Sequence, residues 1–280
     1  MSSSPFSSEH TGSAPLPAEL AEALAAARPH LIRVGSSVVY FPVTGSTNDV
    51  AAALAARSAR DGAVVVADAQ TAGRGRLGRK WFSPPGTGLY VSTVLLPGQA
   101  SPDRQRRARQ LLTLSAGVAL AEAIEEASGL RVEVKWPNDL QIGRRKLAGI
   151  LAESTGGGVA DPVVLGFGVN VDRVACPPDL KDRTTSLESE LGRRVDRSRV
   201  FAESLMALDR RYGDLLQGRF DAILDAWRAR APASIGARVS WTAASGASAG
   251  VTAGIDDEGA LLVRVGERVE RVVAGEVMWL

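Results

Sequence analysis

The residues best suited to chemistry in this sequence lie in a short loop rich in glycine and arginine, GRGRLGRK at 73–80. Arginine side chains bind phosphate or carboxylate groups through two parallel hydrogen bonds, and glycine lets backbone N–H groups approach a ligand closely. The loop therefore predicts a site for a compact polyanion, with a solvated basic loop as the alternative. Two aromatic residues follow directly and favour a site, because a flat ring can close over a bound base. The four cations, with no acidic residue among them, are Arg74, Arg76, Arg79 and Lys80.

Two familiar nucleotide-binding motifs are excluded at this loop. Gly73, Gly75 and Gly78 match G-x-G-x-x-G after a predicted strand, but a dinucleotide-binding fold also needs a helix to begin there. The prolines and glycines at 84–88 exclude a long helix. A P-loop needs Gly-Lys-Ser/Thr, whereas Gly78 is followed by Arg-Lys-Trp.

Three further segments carry polar groups at places where chain direction changes. In KWPND at 135–139, Lys135 lies at a strand end, where it could neutralise developing negative charge or simply extend its ammonium into solvent. The turn STN at 46–48 could cap a helix or bind a ligand. The glycines of GFGVN at 166–170 allow close backbone approach to a ligand, or mark a bulge.

The composition excludes several classes of site. Lys and Arg total 33 against 31 Asp and Glu, so the net charge of +2 argues against a protein that coats nucleic acid. Cys176 is the only cysteine, which excludes an intramolecular disulfide framework and a cysteine zinc finger. The only histidines, His10 and His30, lie near the N-terminus, so a Ser-His-Asp triad or a histidine metal site is not expected. Chemistry is left to lysine, arginine, carboxylates and backbone.

These segments must be positioned by an α+β body. The patterns predict a tail with a short helix over 1–37, an α+β body over 38–231 and a small β-barrel over 232–280. Helices are predicted at 18–30, 49–60, 103–128 and 198–229. Strands are predicted at 38–43, 63–70, 89–96, 132–136, 146–154 and 163–171, with a turn over 137–145 and short strands after Pro232.

Together the motifs resemble the biotin–protein ligase family. The resemblance covers about residues 38–280 and implies a mixed β-sheet catalytic domain, similar to class II aminoacyl-tRNA synthetases and biotin ligases, followed by a small SH3-like β-barrel. The matching stretches are GSTND at 45–49, QTAGRGRLGRKWFSP at 70–84, KWPNDL at 135–140, KLAGILAE at 146–153 and GFGVN at 166–170.

The resemblance implies a reaction in two steps. Biotin and ATP give biotinoyl-5′-AMP and pyrophosphate, and the adenylate then passes to a lysine of a biotin carboxyl carrier domain of a carboxylase. Lys135 and Arg76 are the implied catalytic residues, Mg²⁺ is expected to arrive with ATP, and no metal-binding residue is expected. The implied biotin contacts are Ser46, Thr47, Asn48, Gln70, Arg74, Gly75, Arg76 and Lys135, and the implied nucleotide contacts are Gly73, Trp81 and Asn170.

The sequence also predicts the partners and the cellular location of the protein. Only a tail and one short helix precede the body, so the chain is expected to be of the ligase-only class, without DNA binding. It has no apolar run of 18 residues and no secretory signal, so a cytoplasmic location without membrane contact is expected. A homodimer is left open. The alternatives are a lipoate or octanoate ligase and a nucleic-acid-binding regulatory module that uses RQRRAR at 104–109.

Overall fold

The computed structural model describes residues 12–57, 60–97, 101–158, 160–173, 177, 180–243, 246–273, 275 and 277–280. A seven-stranded sheet forms the centre of the body, in the order β1-β2-β3-β7-β6-β5-β4. Strands β1 and β2 are parallel, and every other neighbouring pair is antiparallel. The strands are β1 Val38–Thr44, β2 Val64–Gln70, β3 Gly88–Leu95, β4 Glu133–Lys135, β5 Asp139–Ile142, β6 Arg145–Ser154 and β7 Val163–Asn170.

Helices cover both faces of this sheet, which explains why β3 is buried along its whole length. Alternate residues of β2 face opposite layers: Val64 and Val66 join the main core, whereas Val65 packs with Val50 and Ala51 in a smaller core beneath α2. The helices are α1 Ala18–Ala27, α2 Thr47–Ala56, α3 Pro102–Ser128, α4 Leu187–Leu191, α5 Arg197–Gln217 and α6 Phe220–Arg230.

A second, antiparallel sheet forms a small C-terminal β domain, with strands in the order β11-β10-β9-β8-β12. Its strands are β8 Ile235–Ala243, β9 Gly246–Ile255, β10 Leu261–Val265, β11 Arg268–Val272 and β12 Val277–Trp279. The indole Nε1 of Trp136, in the body, donates to the carbonyl of Gly259 in this domain at 3.0 Å. A Cβ on Gly259 would lie 2.7 Å from a methyl group of Leu114, so the two domains pack closely at this turn.

Three predictions about secondary structure were wrong in detail. The helix predicted over 198–229 is two helices, because Gly218 adopts a left-handed conformation (φ 74°) that ends α5. The turn predicted over 137–145 contains β5, which pairs with β4 and β6. The helix predicted over 18–30 ends at Ala27 and continues as a single 3-10 turn. Cys176 and His10 lie outside the described residues.

Within the part of the chain that the structure describes, no helix has the length and apolar character needed to cross a membrane.

Candidate functional site

The turn between β1 and α2 is a buried polar cluster. Ser46, Thr47 and Asn48 are 2%, 4% and 5% exposed. Because β1 and β2 are parallel neighbours, Thr44 and Gln70 end side by side, and Gln70 reaches the turn. The backbone N–H and the hydroxyl of Thr47 both donate to Gln70 Oε1, at 2.8 and 3.1 Å. Gln70 and the predicted STN motif are therefore joined through Thr47 in one buried polar cluster.

Asn48 connects this turn to the centre of the sheet. Its amide nitrogen donates to Glu153 Oε2 at 2.6 Å, and its amide oxygen accepts from the Ser92 hydroxyl at 2.6 Å. Gly166 lies beneath it, where a Cβ would come within 1.9 Å of the Asn48 amide oxygen. The glycine in GFGVN is thus required by a close side-chain approach.

The basic loop folds back toward this cluster. Arg74 pairs with Asp49 at 2.5 Å and with Glu153 at 3.1 Å. Burial lowers the pKa of Arg74, but hydrogen bonds to these two carboxylates more than offset it and raise the pKa overall. The Gly75 N–H donates to the carbonyl of Arg79 at 2.7 Å and closes the loop. Arg74 is therefore held over the turn that carries Asn48.

Arg76 extends in the other direction, toward the KWPND segment. It donates to Asn138 Oδ1 at 3.3 Å, and the second nitrogen of its guanidinium lies 3.5 Å from the Gly275 carbonyl of the C-terminal β domain. Burial lowers its pKa. At the loop tip, Leu77 is 68% exposed and has φ 57°, the one non-glycine residue with positive φ in the described part.

Trp81 lies across two glycines that pair with each other. Gly149 of β6 is the register partner of Gly168 of β7. A Cβ on Gly168 would lie 2.4 Å from Trp81 Nε1, and one on Gly149 would lie 3.0 Å from the far edge of the ring. The glycines therefore create a flat platform for an aromatic group. The Trp81 Nε1 is buried and has no hydrogen-bond partner among the described residues.

Gly73 and Asn170 are fixed by local contacts. A Cβ on Gly73 would lie 2.6 Å from the Trp81 carbonyl oxygen, so the glycine permits the loop to fold tightly before Trp81. The Asn170 amide donates to the backbone carbonyl of Thr185 at 3.0 Å and thereby ties the end of β7 to the next segment.

Lys135 ends β4, directly before the turn that Arg76 contacts through Asn138. Burial lowers the pKa of Lys135. The nearby carboxylate of Asp139 opposes this shift, and the cation of Lys146 adds to it. Its Nζ lies 5.6 Å from the centre of the Trp279 ring. The following turn is rigid, since Asn138 donates from its amide to the Ile150 carbonyl at 2.7 Å.

Four residues near these groups were missed in the sequence. Lys146 pairs with Asp139 at 2.6 Å and lies 5.2 Å from the Trp81 ring centre. The KLAGILAE stretch contains both Lys146 and Glu153 and was the available signal, but neither residue was assigned a role. The other two are Asp49 and Ser92, whose contacts depend on long-range packing.

The contacts form one continuous path. It runs from the STN turn through Glu153 to Arg74. It then follows the loop backbone to Arg76, which contacts Asn138 of the KWPND turn. Neutral polar groups lie at the Thr47 end, where Asp49 and Glu153 pair with Arg74, and cations lie at the other end, where Asp139 pairs with Lys146. Among the residues that the structure describes, no group of three His, Cys, Asp or Glu side chains is arranged to hold a metal ion.

The chain is similar in sequence and fold to proteins of known function. The sequence pattern of the biotin/lipoate A/B protein ligase family matches residues 40–170. The biotin–[acetyl-CoA-carboxylase] ligase of Mycobacterium tuberculosis is 36% identical over 262 residues, which cover 90% of this chain and 94% of that protein. The bifunctional ligase/repressor BirA of Bacillus subtilis is 36% identical over 247 residues, covering 87% of this chain and 74% of that protein.

A solved structure, biotin protein ligase from Aquifex aeolicus in complex with biotin and ATP, has a TM-score of 0.74 with 28% identity and covers 88% of this chain and 99% of that chain. This chain belongs to the biotin/lipoate A/B protein ligase family. Within it, the chain is an enzyme of the biotin–protein ligase type. The predicted family and fold class are confirmed.

Proposed function

We propose that this protein activates biotin with ATP as biotinoyl-5′-AMP and transfers the biotinyl group to a lysine of a biotin carboxyl carrier domain. The observation that carries the proposal is the path of contacts joining the buried STN turn, the basic loop and the Lys135 segment. Neutral polar groups suit the uncharged cyclic urea of biotin, whereas cations suit its carboxylate and the phosphates of ATP.

Biotin would lie between the turn and the loop. Ser46, Thr47, Asn48 and Gln70 supply donors and acceptors; Thr47 is already held by Gln70, and Asn48 by Ser92 and Glu153. Such preorganisation reduces the ordering cost of binding. The carboxylate end would face the loop, where Arg74, Gly75 and Arg76 provide charge and close backbone approach.

The first step brings two anions together. A biotin carboxylate oxygen attacks the α-phosphorus of ATP; an O–P bond forms while the bond to the bridging oxygen breaks, and pyrophosphate leaves with the electron pair. Lys135 and Arg76 are proposed to stabilise the charge that develops on the phosphoryl oxygens. Much of the remaining acceleration would come from holding the two anions in line.

In the second step, the ε-amine of the acceptor lysine attacks the acyl carbon, and AMP leaves. No covalent bond to the protein is needed. The loop would exclude water from the mixed anhydride until the acceptor arrives.

The nucleotide would lie toward the glycine platform. Gly73, Trp81 and Asn170 are the proposed contacts, with the Trp81 ring proposed to stack on the base. Mg²⁺ would enter bound to the phosphates of ATP, because the described site residues are mostly neutral or cationic and offer no acidic cage.

The activity is tested by ATP–pyrophosphate exchange with biotin, lipoate or octanoate as the acid. We expect exchange with biotin, and exchange with lipoate or octanoate alone would assign the alternative substrate.

Transfer is tested by incubation with ATP and an isolated biotin carboxyl carrier domain, followed by mass measurement. The matched control is a carrier domain whose acceptor lysine is replaced by arginine, which should remain unmodified.

A DNA-binding role is tested by measuring duplex binding at physiological salt, and we expect none. The basic run at 104–109 lies at the start of α3, where its charges have intramolecular partners: Arg106 pairs with Asp103 at 3.3 Å, and Arg107 lies 4.9 Å from the Phe220 ring centre. Binding with sequence preference would contradict the proposed ligase-only class. The cytoplasmic location stays a prediction from sequence.

A further inference from the structure

The last strand of the C-terminal β domain brings an aromatic ring to the proposed catalytic lysine. Trp279 ends β12, in register with Val239 of β8, and is half-buried. The Lys135 Nζ lies 5.6 Å from the centre of its ring. This separation is within the range of a cation–π contact, about 6 Å.

The strand that carries the ring is joined to the body by contacts between the domains. Arg144, in the turn between β5 and β6, donates to the Trp279 carbonyl at 3.1 Å. Trp136, the residue after Lys135, donates to Gly259 at 3.0 Å from a buried position. Both domains are therefore fixed to each other on either side of the lysine.

The charges around Lys135 explain why a ring could be useful there. Burial lowers the pKa of Lys135, three nearby cations, Lys146, Arg144 and Arg183, lower it further, and one carboxylate, Asp139, opposes them. That carboxylate is paired with Lys146 at 2.6 Å. In the described part of the chain, the structure shows no ion pair or hydrogen bond from the Lys135 ammonium. Its long stem would otherwise be free to turn away from the neighbouring cations.

We propose that Trp279 is a positioning residue that holds the Lys135 ammonium in place for adenylate formation. A carboxylate in the same position would neutralise the lysine and compete with the substrates. An aromatic face attracts the cation but accepts no strong hydrogen bond, so the three N–H groups stay available to the biotin carboxylate and the α-phosphate. The inference rests on the proposed function and extends the site into the C-terminal domain.

The test compares W279F, which keeps a ring, with W279L and W279M, which do not. In ATP–pyrophosphate exchange, W279L and W279M should lower kcat by about 5- to 30-fold, the range of a cation–π contact, with KM for biotin nearly unchanged. W279F should retain most of the rate. Transfer from preformed biotinoyl-5′-AMP to the carrier domain should change less than exchange does.

A pH profile separates positioning from a merely structural role. Losing the ring removes an interaction that favours the charged lysine, so the alkaline decline of kcat should move to lower pH in W279L and W279M but not in W279F. M278A is the matched control, since Met278 is the preceding residue of the same strand and is 57% exposed. It should behave as the wild type does.

The outcomes are distinguishable. Wild-type rates and pH profiles in W279L and W279M would overturn the inference while leaving the proposed function standing. The inference would also be overturned if W279F and both aliphatic variants lost the same share of kcat while kcat fell at the same alkaline pH as in the wild type. That pattern indicates a packing role alone. Absence of biotin-dependent exchange in the wild type would overturn the proposed function and this inference with it. If W279L fails to fold, W279M and W279F still decide the question.

Discussion

Lys135 combines burial with a shortage of negative partners, and both properties suit a group that must wait for anionic substrates. Its pKa is lowered first by burial and further by nearby cations. Binding of a carboxylate and a triphosphate would reverse the second effect, because each brings negative charge close to the ammonium. The site is therefore electrostatically incomplete until both substrates are bound.

Replacing Lys135 by Ala should slow adenylate formation by about 10²- to 10³-fold, the usual consequence of losing one preorganised donor to a developing charge. The fold should persist, since Lys135 makes no ion pair within the described residues. Single-turnover formation of biotinoyl-5′-AMP measures the rate, and circular dichroism measures the fold. A variant with near-normal rates would refute the role assigned to Lys135.

The pH dependence of exchange has a definite sign. The protonated lysine is the active form. Because the pKa of Lys135 is lowered, the proton is lost at a lower pH than from an ordinary lysine, whose pKa is about 10.4. We therefore expect kcat/KM, which reports the substrate-free enzyme, to fall as the pH rises through this lowered pKa. In K135R the arginine stays charged, so any residual activity should lack this decline. The same alkaline decline in K135R would assign it to another group.

Among the structural elements, β6 and β7 make room for side chains of both proposed substrate sites. Gly166 leaves room for the Asn48 side chain, and Gly168 with Gly149 leaves room for the Trp81 ring. Adjacent positions on the same sheet thus serve the proposed biotin and nucleotide sites separately.

This separation predicts different defects for two glycine substitutions. Gly166→Ala should mainly raise KM for biotin, since a Cβ would lie 1.9 Å from the Asn48 amide oxygen. Gly168→Ala should mainly raise KM for ATP, since it displaces Trp81. Steady-state exchange kinetics measure both. Gly157→Ala is the control, because its Cβ would meet nothing within 4 Å; equal effects of the first two variants on both substrates would contradict the assignment.

The basic loop is the element proposed to retain the adenylate. Replacing Arg76 by Ala removes its contacts with Asn138 and with the C-terminal domain. We expect faster release of biotinoyl-5′-AMP and more modification of free amines in solution. Lys80→Ala, a change at an exposed cation of the same loop, should release the adenylate at the wild-type rate. Slower release from the Arg76 variant would contradict a lid role.

In the molecule as a whole, the segment before β1 is attached through one buried carboxylate. Asp209 of α5 is 3% exposed and accepts the backbone N–H groups of Ile32, Arg33 and Val34 at 2.9, 2.8 and 2.7 Å. Buried N–H groups without partners are costly, so this carboxylate determines how the N-terminal helix meets the body.

Asp209→Ala should reduce the free energy of unfolding by about 2–4 kcal/mol, because three backbone donors lose their acceptor. Urea unfolding measures the change. KM for biotin should stay the same, since the substitution lies outside the proposed site. Asp221→Ala, whose side chain is 92% exposed, is the control and should change stability by less than about 0.5 kcal/mol. Equal stability of the two variants would contradict the anchoring role.

Much of the site was predictable because its motifs are local in sequence. The STN turn, the GRGRLGRK loop and KWPND each contain the residue types their chemistry needs, and the family they indicated is confirmed. Gln70 was predicted, but its contact with Thr47 exists because β1 and β2 are parallel neighbours. Glu153, Asp49 and Lys146 were missed because their roles depend on partners in other elements, and charged residues are ordinary on strands and helices.

The amino-acid sequence specifies an arginine-rich loop, a lysine at a strand end and a chain without histidine or cysteine chemistry in its body, and these local properties identify the class of reaction. They do not specify which carboxylate holds Arg74. Nor do they specify that Trp279, 144 residues beyond Lys135 in the chain, lies against Lys135. Those contacts arise when sheet order and domain packing bring distant segments together. Local chemistry follows from residue type and spacing, whereas its electrostatic setting requires the folded chain.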